Sequence, residues 1–222
     1  MDLLAAAKEA VAGATAAGAG AADALSVERR ETTLTVRKGE LETSQEAETR
    51  GVGVRAFRGG RTGIAYTTDL TPEGLRRAGR QAAELAALSG EDPAAGLPEP
   101  SHRAGGACVE GIDDANFESF DPKRGIEMAK EAEAAAFAAD ARVTNSMGAS
   151  FEAVRGATAL AASDGFEARC RRTRFTLSAT ALAEDGGGAL QRDGWHTAAS
   201  LLAGLESPAS VGREAHSVEF GA

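Results

Sequence analysis

The sequence predicts an α+β protein built as two helix-plus-antiparallel-meander units. Three observations predict it. Apolar and polar residues alternate over short stretches, as in half-buried strands. Turn-forming pairs such as Gly59-Gly60 and Asp164-Gly165 separate those stretches. Thr71-Pro72 and Asp121-Pro122 each place a capping side chain ahead of a proline at the first helical position.

In chain order, residues 2–17 read as an amphipathic helix that loosens at Gly18 and Gly20. Leu25 and Val27 begin one alternating segment, and Leu34 and Val36 form another. Lys38-Gly39 supplies a turn, and residues 40–49 return as a largely polar strand. The stretch RGVGVRAFRGGRTGIAYTTDLTPEGLRRA is the hub of the first half: strand, glycine turn, partner strand, capped helix. Leu75, Ala78, Ala82 and Leu85 make the narrow apolar stripe of that helix. Residues 1–89 therefore form one domain. Prolines 93, 98 and 100 and the following glycines mark residues 90–120 as a linker. Residues 121–206 repeat the plan, with an alanine-rich helix carrying Ile126, Met128 and Phe137 and then a second meander. In it, Met147, Ala149, Phe151 and Ala153 share one face, and Phe175, Leu177, Ala179 and Ala181 share another. Gly186 to Gly188 close its last turn. Ser207-Pro208 opens a further helix, so residues 207–222 read as the start of a truncated third domain.

Composition narrows the function. With 222 residues the chain can bury a sizeable core, but only 5% of them are aromatic, which predicts thin helices on sheets and no core of large rings. A net charge of −9 argues against nucleic acid as a partner. No run approaches the roughly 20 apolar residues of a membrane span, and the N-terminus lacks a signal-peptide pattern. Cys108 and Cys170 read as free thiols in a reducing compartment, and the expected location is cytoplasmic.

No catalytic or metal-binding set emerges from the residues. His102, His196 and His216 share no ligand spacing, and the Glu219 that follows His216 makes an ordinary helical pair. Gly51-Val52-Gly53 lies within a strand, where a dinucleotide loop would need a helix next. Ser163-Asp164-Gly165 has no neighbouring base, and Asp113-Asp114 sits in the linker, where solvation is expected. Arg169, Arg171, Arg172 and Arg174 are the one local positive excess and the candidate contact for a partner or peptide; alternation divides them between two strand faces.

The hub stretch, VTNSMGASFEAVRGATALAASDGFEARCRRTRFTLSATALAED and LQRDGWHTAASLLAGLESPASVGREA, taken in this order, resemble the TldD/PmbA family of bacterial and archaeal metallopeptidases, long labelled modulators of DNA gyrase. The likeness is nearer the PmbA (TldE) branch. It implies N-terminal and central domains without the family's C-terminal β-rich domain. It also implies a heterodimer in which a TldD-like subunit carries the zinc and the catalytic residues and unfolded peptide is the substrate. This chain would then hold no cofactor and act as a non-catalytic subunit. The alternative is a non-enzymatic protein-binding module related to gyrase modulation or toxin–antitoxin systems, and a weaker third is a truncated product with no role of its own.

Overall fold

The computed structural model describes residues 2–103, 108–184 and 190–215. Its element order is α1 (Leu3–Ala16), β1 (Ala21–Arg37), β2 (Glu40–Phe57), β3 (Thr62–Thr67), α2 (Pro72–Leu88), α3 (Pro122–Ala139), β4 (Val143–Ala162), β5 (Glu167–Glu184), β6 (Leu190–Ala199) and α4 (Pro208–Glu214). Each half of the sequence is thus helix, three strands, helix. The strands hydrogen-bond in the order β3-β2-β1-β4-β5-β6, with β2–β3 and β5–β6 antiparallel. The α+β class with two meanders is as expected.

The caps are those the sequence marks. Thr71 accepts from Gly74 N–H at 3.1 Å, and Asp121 accepts from Lys123 N–H at 2.9 Å. Lys38 and Gly39 take φ of 53° and 76° in the β1–β2 turn, and Gly59, Gly60 and Gly165 also have positive φ. The strands are longer than expected. The polar run at residues 28–33 looked like a break between two segments, yet β1 stays extended through it. The 40–49 stretch and the hub strand likewise fuse into β2, whose first half is exposed on both faces.

Those long strands divide the chain into two compact units that are not the contiguous domains expected. The first comprises residues 1–29, 48–109 and 156–171; the second comprises 30–47, 110–155 and 172–222. Each unit thus takes a hairpin from the opposite half of the sequence: 30–47 joins the second, and 156–171 joins the first. The supposed linker is divided between them and carries short 3-10 turns at Pro100–His102 and Phe117–Ser119. Helix α4 does not open a separate body: Val211 and Ala215 are buried in the second unit's core.

In the first unit, α1 and α2 lie against alternate residues of the strands, Ala22 and Ala24 of β1, Val52, Val54 and Ala56 of β2, and Ala65 of β3. The two helices touch backbone to backbone. A Cβ on Gly79 would sit 2.1 Å from the Ala10 carbonyl oxygen, so only glycine fits there. That contact rotates α2, burying Gly79, Ala83 and Ala86 and leaving Leu85 of the predicted stripe 41% exposed.

The second unit has the aromatic cluster that the composition did not suggest. Phe120 stacks on Phe151 at 5.1 Å between centroids, and Phe175 lies near Phe117, Phe120 and Phe151 at 5.9–6.3 Å. Two of these rings come from the stretch read as linker. Met147 does not share the buried face of Phe151. Gly148, at φ 103° and packed against the Val36 carbonyl, interrupts the alternation and turns Met147 outward.

Candidate functional site

Because β1, β2 and β3 bury alternate residues under α1 and α2, the intervening side chains project from the other sheet face. In the first unit that face carries Asp23 and Leu25 of β1, Gly53 and Arg55 of β2, Ile64 of β3 and Leu160 of β4. Residues 97–103 and Phe166, just past the β4–β5 turn, wall it in. The result is a groove of about 550 Å³, within the range of pockets that hold small molecules. Its floor is apolar, and Leu25 and Ile64 are 45% and 61% exposed there.

Two ion pairs stand in the groove. Arg55 donates from Nε and Nη2 to the two oxygens of Asp23 at 2.9 and 2.5 Å, and Asp23 is only 7% exposed. Hydrogen bonding to Asp23 raises the Arg55 pKa above its ordinary value. Arg103 donates to the Pro98 carbonyl from Nε and Nη2 at 3.0 and 2.6 Å, and its Nη2 lies 2.5 Å from Asp164 Oδ2. Its guanidinium also sits 5.2 Å from the centroid of the Phe166 ring. This pairing, chiefly the hydrogen bond from Arg103, holds the Asp164 carboxyl below the usual carboxylate range. His102 completes the wall.

The four arginines of the sequence reading lie exposed on β5. Arg169 and Arg171 belong to the first unit, Arg172 and Arg174 to the second. Arg169 Nη2 is 3.4 Å from Asp2 Oδ2. β6 pairs with β5 only from Phe175 onward, and the connection from the first half runs along the strand before that point. Thr173 N–H donates to the Ile112 carbonyl at 2.7 Å, and Cys108 is joined to Cys170. The cysteines are therefore a disulfide, not free thiols: 62 residues separate them in sequence, but the connection brings their Cα atoms to 4.7 Å.

Asp113 and Asp114 are not simply solvated. Asp114, 8% exposed, accepts from Leu202 N–H at 3.0 Å and Asn116 N–H at 2.9 Å, while Asp113 lies 3.4 Å from Arg155. The Leu202 bond first, then the Asn116 bond, lowers the Asp114 pKa.

His102 lines the groove and His196 is exposed on β6 opposite Ser178. His216, with the Glu219 pair, and Gly186 to Gly188 fall outside the described residues. Among the described residues, no three His, Cys, Asp or Glu side chains gather as a metal site would require. Sequence reading did not single out the groove, which needs four strands and a loop together. The pairing of Arg55 with Asp23 joins two strands and left no local sequence signal.

An α+β pair of domains in this order is the class of architecture found in the front half of a metallopeptidase family. The model for PmbA/TldA metallopeptidase domain 1 matches residues 22–86, and the model for the PmbA/TldA metallopeptidase central domain matches residues 115–217. The chain belongs to the TldD/PmbA metallopeptidase family, on its PmbA/TldE-like side. The metalloprotease PmbA of Escherichia coli O157:H7 is 30% identical over 93% of this chain and 46% of its own length. The metalloprotease PmbA homolog of Haemophilus influenzae is 29% identical over 81% of this chain and 39% of its own. A putative modulator of DNA gyrase from Bacteroides thetaiotaomicron superposes with a TM-score of 0.85 at 25% identity, over 95% of this chain and 47% of its own. TldE from Thermococcus kodakarensis shares the fold at a TM-score of 0.77 and 16% identity, over 94% of this chain and 46% of its own. The chain spans less than half the length of each.

Proposed function

We propose that this chain is part of a PmbA/TldE-like, non-catalytic subunit of a heterodimeric zinc metallopeptidase that cleaves unfolded peptides in the cytoplasm. The observation that carries this reading is the pair of domain matches together with the PmbA relatives across 93% and 81% of the chain. In this role zinc and the hydrolytic groups belong to a TldD-like partner. This chain contributes sheet and helix surface that admits an extended peptide and excludes folded protein. Arg169, Arg171, Arg172 and Arg174, exposed on β5, are the proposed contact for the partner or for acidic stretches of peptide.

The test is reconstitution with a TldD-like subunit. The complex is expected to degrade an unfolded casein, with zinc recovered only in the partner, while this chain alone cleaves nothing. One equivalent of zinc in this chain, with chelator-sensitive peptidase activity from it alone, overturns the reading. Replacing the four arginines with glutamine is expected to weaken complex formation or peptide turnover.

A second reading has its own observation, the likeness at 25% identity to the putative modulator of DNA gyrase from Bacteroides thetaiotaomicron. On that reading the chain is a protein-binding module without a peptidase partner, acting on gyrase or on a toxin–antitoxin protein. Purification from native lysate separates the two: co-purification of a TldD-like chain favours the first, and recovery of gyrase without it favours the second.

A further inference from the structure

We propose that the groove on the first unit's outer sheet face binds the free carboxylate end of a short apolar peptide. The inference comes from which hydrogen-bonding capacity remains there. Both Asp23 oxygens accept from Arg55, and both Asp164 oxygens are engaged, one by Arg103 and the other by Phe166 N–H at 3.2 Å. Each of these carboxylate oxygens thus already accepts a hydrogen bond, while donors on the arginines remain. Among the described residues, Nη1 of Arg55 and Nη1 of Arg103 have no hydrogen-bond partner. Besides its partner Asp164, the carboxylates of Glu99 and Asp23 act on Arg103.

An apolar floor beside two guanidinium groups with unused N–H donors suits a ligand with an apolar body and an acceptor-only head, and a carboxylate is such a head. Leu25, Ile64 and Leu160 would cover the apolar part, gaining burial for side chains that are now substantially exposed at the first two positions. A cationic or amide-headed ligand would bring donors to a site already rich in them. The choice of a peptide as the carrier of the carboxylate rests on the proposed subunit role, since each peptide hydrolysis makes a new carboxylate end. The groove would hold such ends after cleavage or position them before it.

The test is calorimetric titration of the whole chain, without any partner, with acetyl-Leu-Ile-Leu as the free acid and as its C-terminal amide. The acid is expected to bind about tenfold more tightly than the amide, the difference one charge-assisted hydrogen bond supplies. Ile64→Thr, at an exposed position, is expected to weaken both peptides. The paired change Asp23→Asn with Arg55→Gln removes both charges of that pair and is expected to reduce the preference for acid, with Arg103 keeping the remainder. Should that double variant fail to fold, the acid–amide comparison on the unaltered chain still decides. Equal affinity for acid and amide, or no saturable binding by about 1 mM, overturns the proposal. Binding of decanoate with none of the peptide acid overturns the assignment to peptide ends. Because no partner is present, inactivity of a reconstituted peptidase would leave this result intact, and equal affinities here would leave the subunit reading intact.

Discussion

The Glu133 carboxylate, on α3, caps the β1–β2 turn at Gly39. It accepts the N–H groups of Lys38 and Gly39 at 2.9 and 2.8 Å and is itself 2% exposed. A turn whose two residues both have positive φ is thereby fixed by a side chain some 95 residues away in sequence. Glu133→Ala leaves two backbone donors without that partner. It is expected to destabilise the protein by about 1–3 kcal/mol, read from urea denaturation, with Glu133→Gln milder because one acceptor remains.

Asp114 predicts an acid sensitivity. Its folded pKa is lowered by the Leu202 and Asn116 N–H donors, so the folded state favours the ionised form. Its contribution is therefore complete above the ordinary carboxylate value of 3.8 and is lost as pH falls through the lowered value. Melting temperatures should show wild type above Asp114→Asn at pH 7 and the two converging in strong acid.

The contact between α1 and α2 is read by Gly79→Ala. The added methyl collides with the Ala10 carbonyl, and a loss of about 1–3 kcal/mol is expected. Gly90→Ala, with nothing within 4 Å, is the control and should stay within about 0.5 kcal/mol.

Cys108 and Cys170 predict a thiol count. Protein denatured without reductant should expose no titratable thiol, and reduced protein should expose two. Cys108→Ser with Cys170→Ser should cost about 2–4 kcal/mol relative to the oxidised protein.

These residues also show what the sequence could and could not carry. Local chemistry was readable: Thr71 and Asp121 cap the helices they precede, and the Lys38-Gly39, Gly59-Gly60 and Asp164-Gly165 turns fall where glycine requires them. Longer-range outcomes were not. Polar residues 28–33 give no alternation, because β1 passes there from one compact unit into the other, with no buried face to mark. Leu85 has the right spacing but loses its burial to the close approach at Gly79. The groove is assembled from Asp23, Arg55, Ile64 and Leu160 on four strands, and their meeting depends on the β1–β4 neighbourhood, which no local pattern encodes.

The hairpins placed in the opposite unit bear on synthesis. A chain emerging from the ribosome has made residues 1–155 before residues 156–171 arrive to finish the unit that began at the N-terminus. The alanine-lined surface of β1 at Ala22 and Ala24 must wait, without Ala159 and Ala161 of its β4 neighbour, for translation to pass them. Folding of the first unit therefore waits on residues 156–171, and the early-made 30–47 hairpin waits in turn on residues 110–155 of the second unit.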